Sequence, residues 1–172
     1  VCYGYPFDAP SKVVFAAGTE ADILLETPLA IAQVDMKEPQ LKITLRGGKE
    51  NVLKTDLWLG LQDTTVRGST FVFDGVTVEA TAGVSIGRES ALTLKNGTEL
   101  TVAGSFCEVF DRGALVNQGA GWARTTIGEG CVLKAMNSVW IGCDAEIIVD
   151  NGTLEAGNNL IFNVATGGDN LV

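Results

Sequence analysis

The chain has 172 residues, 46% of them apolar and 19% charged, with 21 glycines and a formal net charge of −9. That apolar content excludes a disordered chain, and the acidic balance disfavours a general nucleic-acid binder, which needs clustered Lys and Arg. The chain contains no histidine, which removes His-based triads and His-ligated zinc together.

No run of 18 apolar residues is present, so no transmembrane helix is predicted. The length suits one domain with a sizeable core. The first residue is Val1, without a Met or a signal-peptide pattern, which reads as a processed or excised chain. Along the chain, Val13-Val14-Phe15-Ala16-Ala17-Gly18-Thr19-Glu20 resembles the later Leu92–Glu99, a strand followed by a corner. Residues Glu20–Lys37 read as a short helix or a strand pair, with Pro28 against one continuous helix. Ile43-Thr44-Leu45 runs into Gly47-Gly48, another corner. From residue 69 the pattern sharpens. Phe71-Val72-Phe73 meets Asp74-Gly75, Leu92-Thr93-Leu94 meets Asn96-Gly97, and Ile147-Ile148-Val149 meets Asn151-Gly152. Alternation with period two marks half-buried strands, and Asn-Gly or Asp-Gly supplies the positive φ of a sharp bend.

The run Ser85–Thr98 returns 55 residues later as Trp140–Thr153, with five of fourteen positions identical. Repetition in fixed register, with very short strands, favours stacked coils over antiparallel hairpins. Gly75 and Gly97 lie 22 residues apart, as do Gly130 and Gly152, so one turn is predicted to hold about that many residues. The 55-residue spacing then corresponds to two long turns or to turns carrying inserted loops, with one insertion expected within Asn117–Arg124.

The predicted fold is all-β, a single-stranded right-handed parallel β-helix with an irregular N-terminal region. One domain is expected, with residues 1–40 as an N-terminal cap region and 41–166 as coils. The pattern resembles the right-handed parallel β-helix superfamily, which includes pectate-lyase-like enzymes, autotransporter passenger domains and phage tailspikes. The resemblance covers Leu41–Val164 and rests on period, Asn-Gly corners and aliphatic strand runs. No family-specific catalytic motif accompanies it, so it carries over no catalytic residue.

Candidate sites are sparse. Asn96 and Asn151 stand in Asn-Gly-Thr triplets, which match a glycosylation pattern but read first as corners tolerating the left-handed conformation. Asp63, Asp74, Asp111, Asp144 and Asp150 could supply a carboxylate pair on neighbouring turns for glycan cleavage. Asp74 and Asp150, however, lie at glycine corners, where Asp is a common turn residue. Arg88, Lys95, Arg112, Arg124 and Lys134 are scattered, with no acidic cluster of the kind a calcium-assisted lyase would use. Gly167-Gly168-Asp169-Asn170 reads as an ordinary turn rather than a calcium turn. Neither a metal nor a cofactor is expected.

Of the three tryptophans, Trp58, Trp122 and Trp140, the last two are the candidate ligand-binding residues. Trp122 lies in the predicted insertion, and Trp140 replaces Ser85 in the repeat. Cys107 and Cys131 are 24 residues apart, near one turn, which fits either a disulfide or, preferably, a ladder of stacked thiols. Cys143 is expected near a corner. The resulting expectation is a non-enzymatic extracellular or cell-surface module for recognition or scaffolding, meeting a polysaccharide or surface protein. A polysaccharide lyase or glycoside hydrolase, and a fibre or phage-appendage component forming a homo-oligomer, are the competing readings.

Overall fold

Short alternating runs separated by glycine corners cannot bury their apolar side chains alone, so they must stack on copies of themselves. A computed structural model shows that stacking; it describes residues 11–59, 68–87, 89–108, 123–142 and 145–162. Strands follow in the order β1 (Lys12–Val14), β2 (Glu20–Leu25), β3 (Leu29–Met36), β4 (Lys42–Gly47), β5 (Val52–Leu59) and β6 (Thr70–Asp74). Next come β7 (Thr77–Ala80), β8 (Val84–Ile86), β9 (Ser90–Lys95), β10 (Glu99–Val102), β11 (Phe106–Glu108) and β12 (Ala123–Ile127). The last are β13 (Val132–Ala135), β14 (Val139–Ile141), β15 (Ala145–Val149), β16 (Thr153–Ala156) and β17 (Leu160–Phe162). No helix occurs among the described residues.

Every strand pairing is parallel, and each strand pairs with its equivalent one turn away. The described residues therefore form a parallel β-solenoid of about six turns with three faces. Face 1 is the sheet β2-β4-β6-β9-β12-β15. Face 2 holds the first halves of β3 and β5, then β7, β10, β13 and β16. Face 3 holds β1, the second halves of β3 and β5, then β8, β11, β14 and β17.

Inward positions form columns of like residues. On face 1, Ile43, Phe71 and Leu92 stack in one column and Leu45, Phe73, Leu94 and Ile127 in the next, all buried. On face 2 the equivalent column is Leu53, Val78, Leu100 and Leu133. Each such side chain contributes roughly 1.5–3 kcal/mol of burial, offset by the entropy of ordering the chain. Thr125 interrupts the Phe71 column: it is fully buried, and its Oγ1 meets no hydrogen-bond partner among the described residues.

The Asn-Gly corners behave as expected. Asn96 and Asn151 adopt φ of 56° and 54°, and Gly75, Gly97 and Gly130 adopt 67° to 74°. These corners join face 1 to face 2 on successive turns rather than closing hairpins. Thr98 locks its corner by donating from Oγ1 to the carbonyls of Phe73 and Lys95 (2.9 and 2.8 Å).

Two expectations need correction and a third is refined. First, the coil does not begin at residue 41, because β1, β2 and β3 already pair in the parallel columns. Of the two readings of Glu20–Lys37, the structure has strands, β2 and β3, and the irregularity there is a register shift between Ala30 and Gln33. Second, Val13–Glu20 is not the counterpart of Leu92–Glu99. It crosses from face 3 to face 1, although Thr19 repeats the local lock of Thr98 with an Oγ1 bond to Ala16 O at 2.6 Å. The expected insertion is there: the 55-residue repeat is one turn of 22 residues followed by one of 33. The additional length falls between Glu108 and Ala123; Ala123 and Arg124 belong to β12, and the rest of the expected insertion lies outside the described residues.

Candidate recognition face

Parallel stacking places outward side chains in columns about 4.8 Å apart along the axis, so each face has a composition of its own. Faces 1 and 2 are laced by ion pairs between turns: Lys42–Glu20, Arg46–Asp22, Lys95–Asp74 and Arg124–Glu146 on face 1, and Lys54–Glu79 and Lys134–Glu155 on face 2. Face 3 differs. Its outward column contains Val14, Asp35 and Trp58, then, one residue before the Leu59–Ile86 pair, Ser85, followed by Cys107, Trp140 and Ile161.

Trp58 and Trp140 are 39% and 37% exposed, open enough for a ligand to reach the rings. They stand three turns apart, about 14 Å at the rung spacing, with only the small side chains of Ser85 and Cys107 between them. The period-two run Val52–Leu59 puts Leu53, Thr55, Leu57 and Leu59 inward and Trp58 outward. That phase was the signal in the sequence for Trp58, which the choice of Trp122 and Trp140 passed over. Trp122 lies outside the described residues.

Trp58 is held in place. Its Nε1 donates to Asp56 Oδ2 at 2.7 Å, and the Lys37 ammonium lies 4.1 Å from the ring centroid, within cation–π range. Lys37 also binds Asp35 (3.3 Å), as does Lys12 of β1 (2.8 Å), and the Lys37 backbone N–H donates to Asp35 Oδ1. The Asp35 side chain is only 7% exposed although it points outward. Burial alone would raise its pKa, but the hydrogen bonds and charges of Lys12 and Lys37 outweigh that and hold it below the ordinary carboxylate value.

The two candidate acids among the described residues, Asp74 and Asp150, do not form a pair. Burial would raise the pKa of Asp74 too, but Asn96 and Lys95, which hydrogen-bond it, and the charges of Lys95 and Arg46 lower it overall. Asp150 occupies the same column three turns further on, about 14 Å away and beyond the roughly 5–9.5 Å separations of glycoside hydrolysis. Asp63, Asp111 and Asp144 lie outside the described residues, as do Arg88, Arg112, Cys143 and Gly167–Asn170. Lys95, Arg124 and Lys134 each bind an acid on a neighbouring turn. Among the described residues no group of three or more Cys, Asp or Glu could hold a metal ion. A shallow open depression of about 490 Å³ lies on face 1, bordered by Glu20, Asp22, Lys42, Thr44, Thr70 and Val72.

Cys107 and Cys131 form neither a disulfide nor a ladder. Both thiols are free, and the residue one turn above Cys107 is Trp140, because that turn is 33 residues long and not 24. Cys131 instead stands one turn above Thr98, buried, at the corner between faces 1 and 2. Burial raises the pKa of the Cys107 thiol, which keeps it neutral and a poor nucleophile at neutral pH.

Comparison with protein-family models, with curated proteins and with solved structures found no match to this chain.

Proposed function

We propose that the chain is a non-enzymatic β-solenoid module acting outside the cell or at its surface, where it serves recognition or scaffolding. Its partner on this reading is a glycan or another surface protein. The observation that carries the reading is the composition of face 3: two half-open tryptophans share one outward column, while faces 1 and 2 commit their charges to turn-to-turn pairs. Open aromatic rings on a rigid scaffold suit binding. Acids individually engaged with basic neighbours are poor material for a catalytic pair, which needs one carboxyl kept protonated as the acid beside an ionised one.

The test is a glycan array and a cell-surface binding assay, run together with product analysis on every glycan that binds. Binding without turnover is the expected outcome. Cleavage that disappears when a pair of acids is replaced would establish the enzyme instead. A defined oligomer in light scattering, without ligand binding, would favour the fibre or appendage reading.

A further inference from the structure

We propose that the column Trp58–Ser85–Cys107–Trp140 is a binding track for a linear, uncharged, β-linked hexose chain lying parallel to the solenoid axis. The track deepens the recognition reading and rests on it.

Three observations converge on that occupant. The first is geometric. The tryptophans are separated by three rungs, about 14 Å, and the two rungs between them carry the small residues Ser85 and Cys107. A long ligand therefore meets an aromatic ring, a low stretch and a second ring in line. An extended β-linked hexose chain advances by nearly one rung spacing per sugar, so sugars n and n+3 fall over the two rings.

The second is preorganisation. Asp56 and Lys37 fix the Trp58 ring before any ligand arrives, which reduces the entropy lost on binding; the Lys37 ammonium covers one face of the ring, so a sugar would stack on the other. The third is charge. Among the described residues the cations nearest the track, Lys12 and Lys37, are already engaged by Asp35, and the outward column from Trp58 to Trp140 is uncharged. Stacking, rather than an ionic contact, is what the column offers. Flanking polar side chains at Asp56 and Ser105 suit sugar hydroxyls better than an apolar peptide.

The experiment is a length series: gluco- and manno-oligosaccharides of two to six β-linked residues, titrated calorimetrically against the full chain. Affinity is expected to rise steeply between the trisaccharide and the tetrasaccharide, the first length that reaches both rings. Trp58→Ala and Trp140→Ala should each weaken the tetrasaccharide by about tenfold or more, the usual cost of an aromatic anchor, while leaving the disaccharide much less affected. Circular dichroism and the urea midpoint of each variant report whether the coil is intact, and Trp58→Phe and Trp140→Phe should restore part of the affinity in a folded background.

Affinity that is independent of length, or unchanged by Trp58→Ala, overturns the track. So does binding of none of these oligomers, or binding only of an extended peptide or a second copy of the chain. Binding on the glycan array that survives the double tryptophan variant overturns the track alone and leaves the recognition module standing. An array and cell assay without any binding removes the broader reading.

Discussion

The corner between faces 2 and 3 and the corner between faces 3 and 1 obey different rules. The first holds three residues in each of four successive turns, at 81–83, 103–105, 136–138 and 157–159. The second holds five, five, ten, three, fourteen and three, at 15–19, 37–41, 60–69, 87–89, 109–122 and 142–144. The difference follows the backbone hydrogen bonds. Around the first corner the ladder continues from turn to turn: Gly104 N donates to Ala82 O, Asn137 N to Gly104 O, and Asn158 N to Asn137 O. Faces 2 and 3 are one continuous sheet because β3 and β5 run through both, whereas face 1 is a separate one. Where it is short, the second corner is bonded between turns as well, Gly18 N donating to Pro39 O; a corner bonded in this way cannot change length without breaking bonds above and below it, while added loop residues otherwise cost little more than loop closure.

The harshest test of that contrast is a single glycine inserted between Gly104 and Ser105. It would put Cys107 inward and Phe106 outward on its turn, and a loss of roughly 3–5 kcal/mol in urea unfolding is expected. A retained midpoint would show that the ladder does not fix this corner. The third corner, between faces 1 and 2, should separate the two copies of the repeat. Thr98→Ala removes a buried hydroxyl that bridges two carbonyls and should cost about 1–2 kcal/mol. Thr153→Ala, at an exposed position, should change stability by less than about 0.5 kcal/mol.

The 37–41 corner is bonded to the turns on either side and anchored by charge as well. Lys37 opens the 37–41 corner and binds Asp35, whose pKa is lowered in the folded state. Stabilisation from a lowered carboxylate is present above its unfolded value, about 3.9, and fades as pH falls through the still lower folded value. Asp35→Asn should therefore cost about 1–2 kcal/mol at pH 6, and the gap to the parent should close below about pH 4. A gap that persists in acid would assign the effect to packing.

Thr125→Val tests the core column without touching any corner. Removing a buried hydroxyl that has no partner, at nearly constant shape, should raise stability by about 1 kcal/mol. The smallest effect is expected for three glycines inserted after Gln118, within the fourteen-residue connection. The change should stay under about 0.5 kcal/mol, and a larger loss would show that this connection is as constrained as its opposite number.

The same contrast explains what the sequence disclosed. Asn96-Gly97 and Asn151-Gly152 were legible because a left-handed residue needs particular chemistry. The inward columns were legible because Phe71, Leu92 and their neighbours alternate with period two. Pairings across the long turn were not, since spacing along the chain equals one turn only where the face 3 to face 1 corner is short. Cys107 and Cys131 were matched by a length that their turn does not have, and Trp140 is the true neighbour of Cys107. Trp58 and Trp140 lie 82 positions apart in sequence, so a common column became visible only once each turn's length was known. Chain order alone also could not tell which of three corners a strand-glycine-strand motif occupies, as Val13–Glu20 demonstrates.

The 22-residue register between Thr77 and Glu99 makes the molecule a ruler with one-turn graduations. Excising residues 77–98 would leave β5 to meet β10, and β6 to meet β12, with every inward and outward phase preserved. The gap between the two indole rings would then shorten by a single graduation, and the shortest chain able to bridge them would lose one sugar. In such a scaffold, reach is inherited from how many turns separate two side chains and not from the side chains themselves, so duplication or loss of a turn changes what the protein measures while its surface chemistry stays the same.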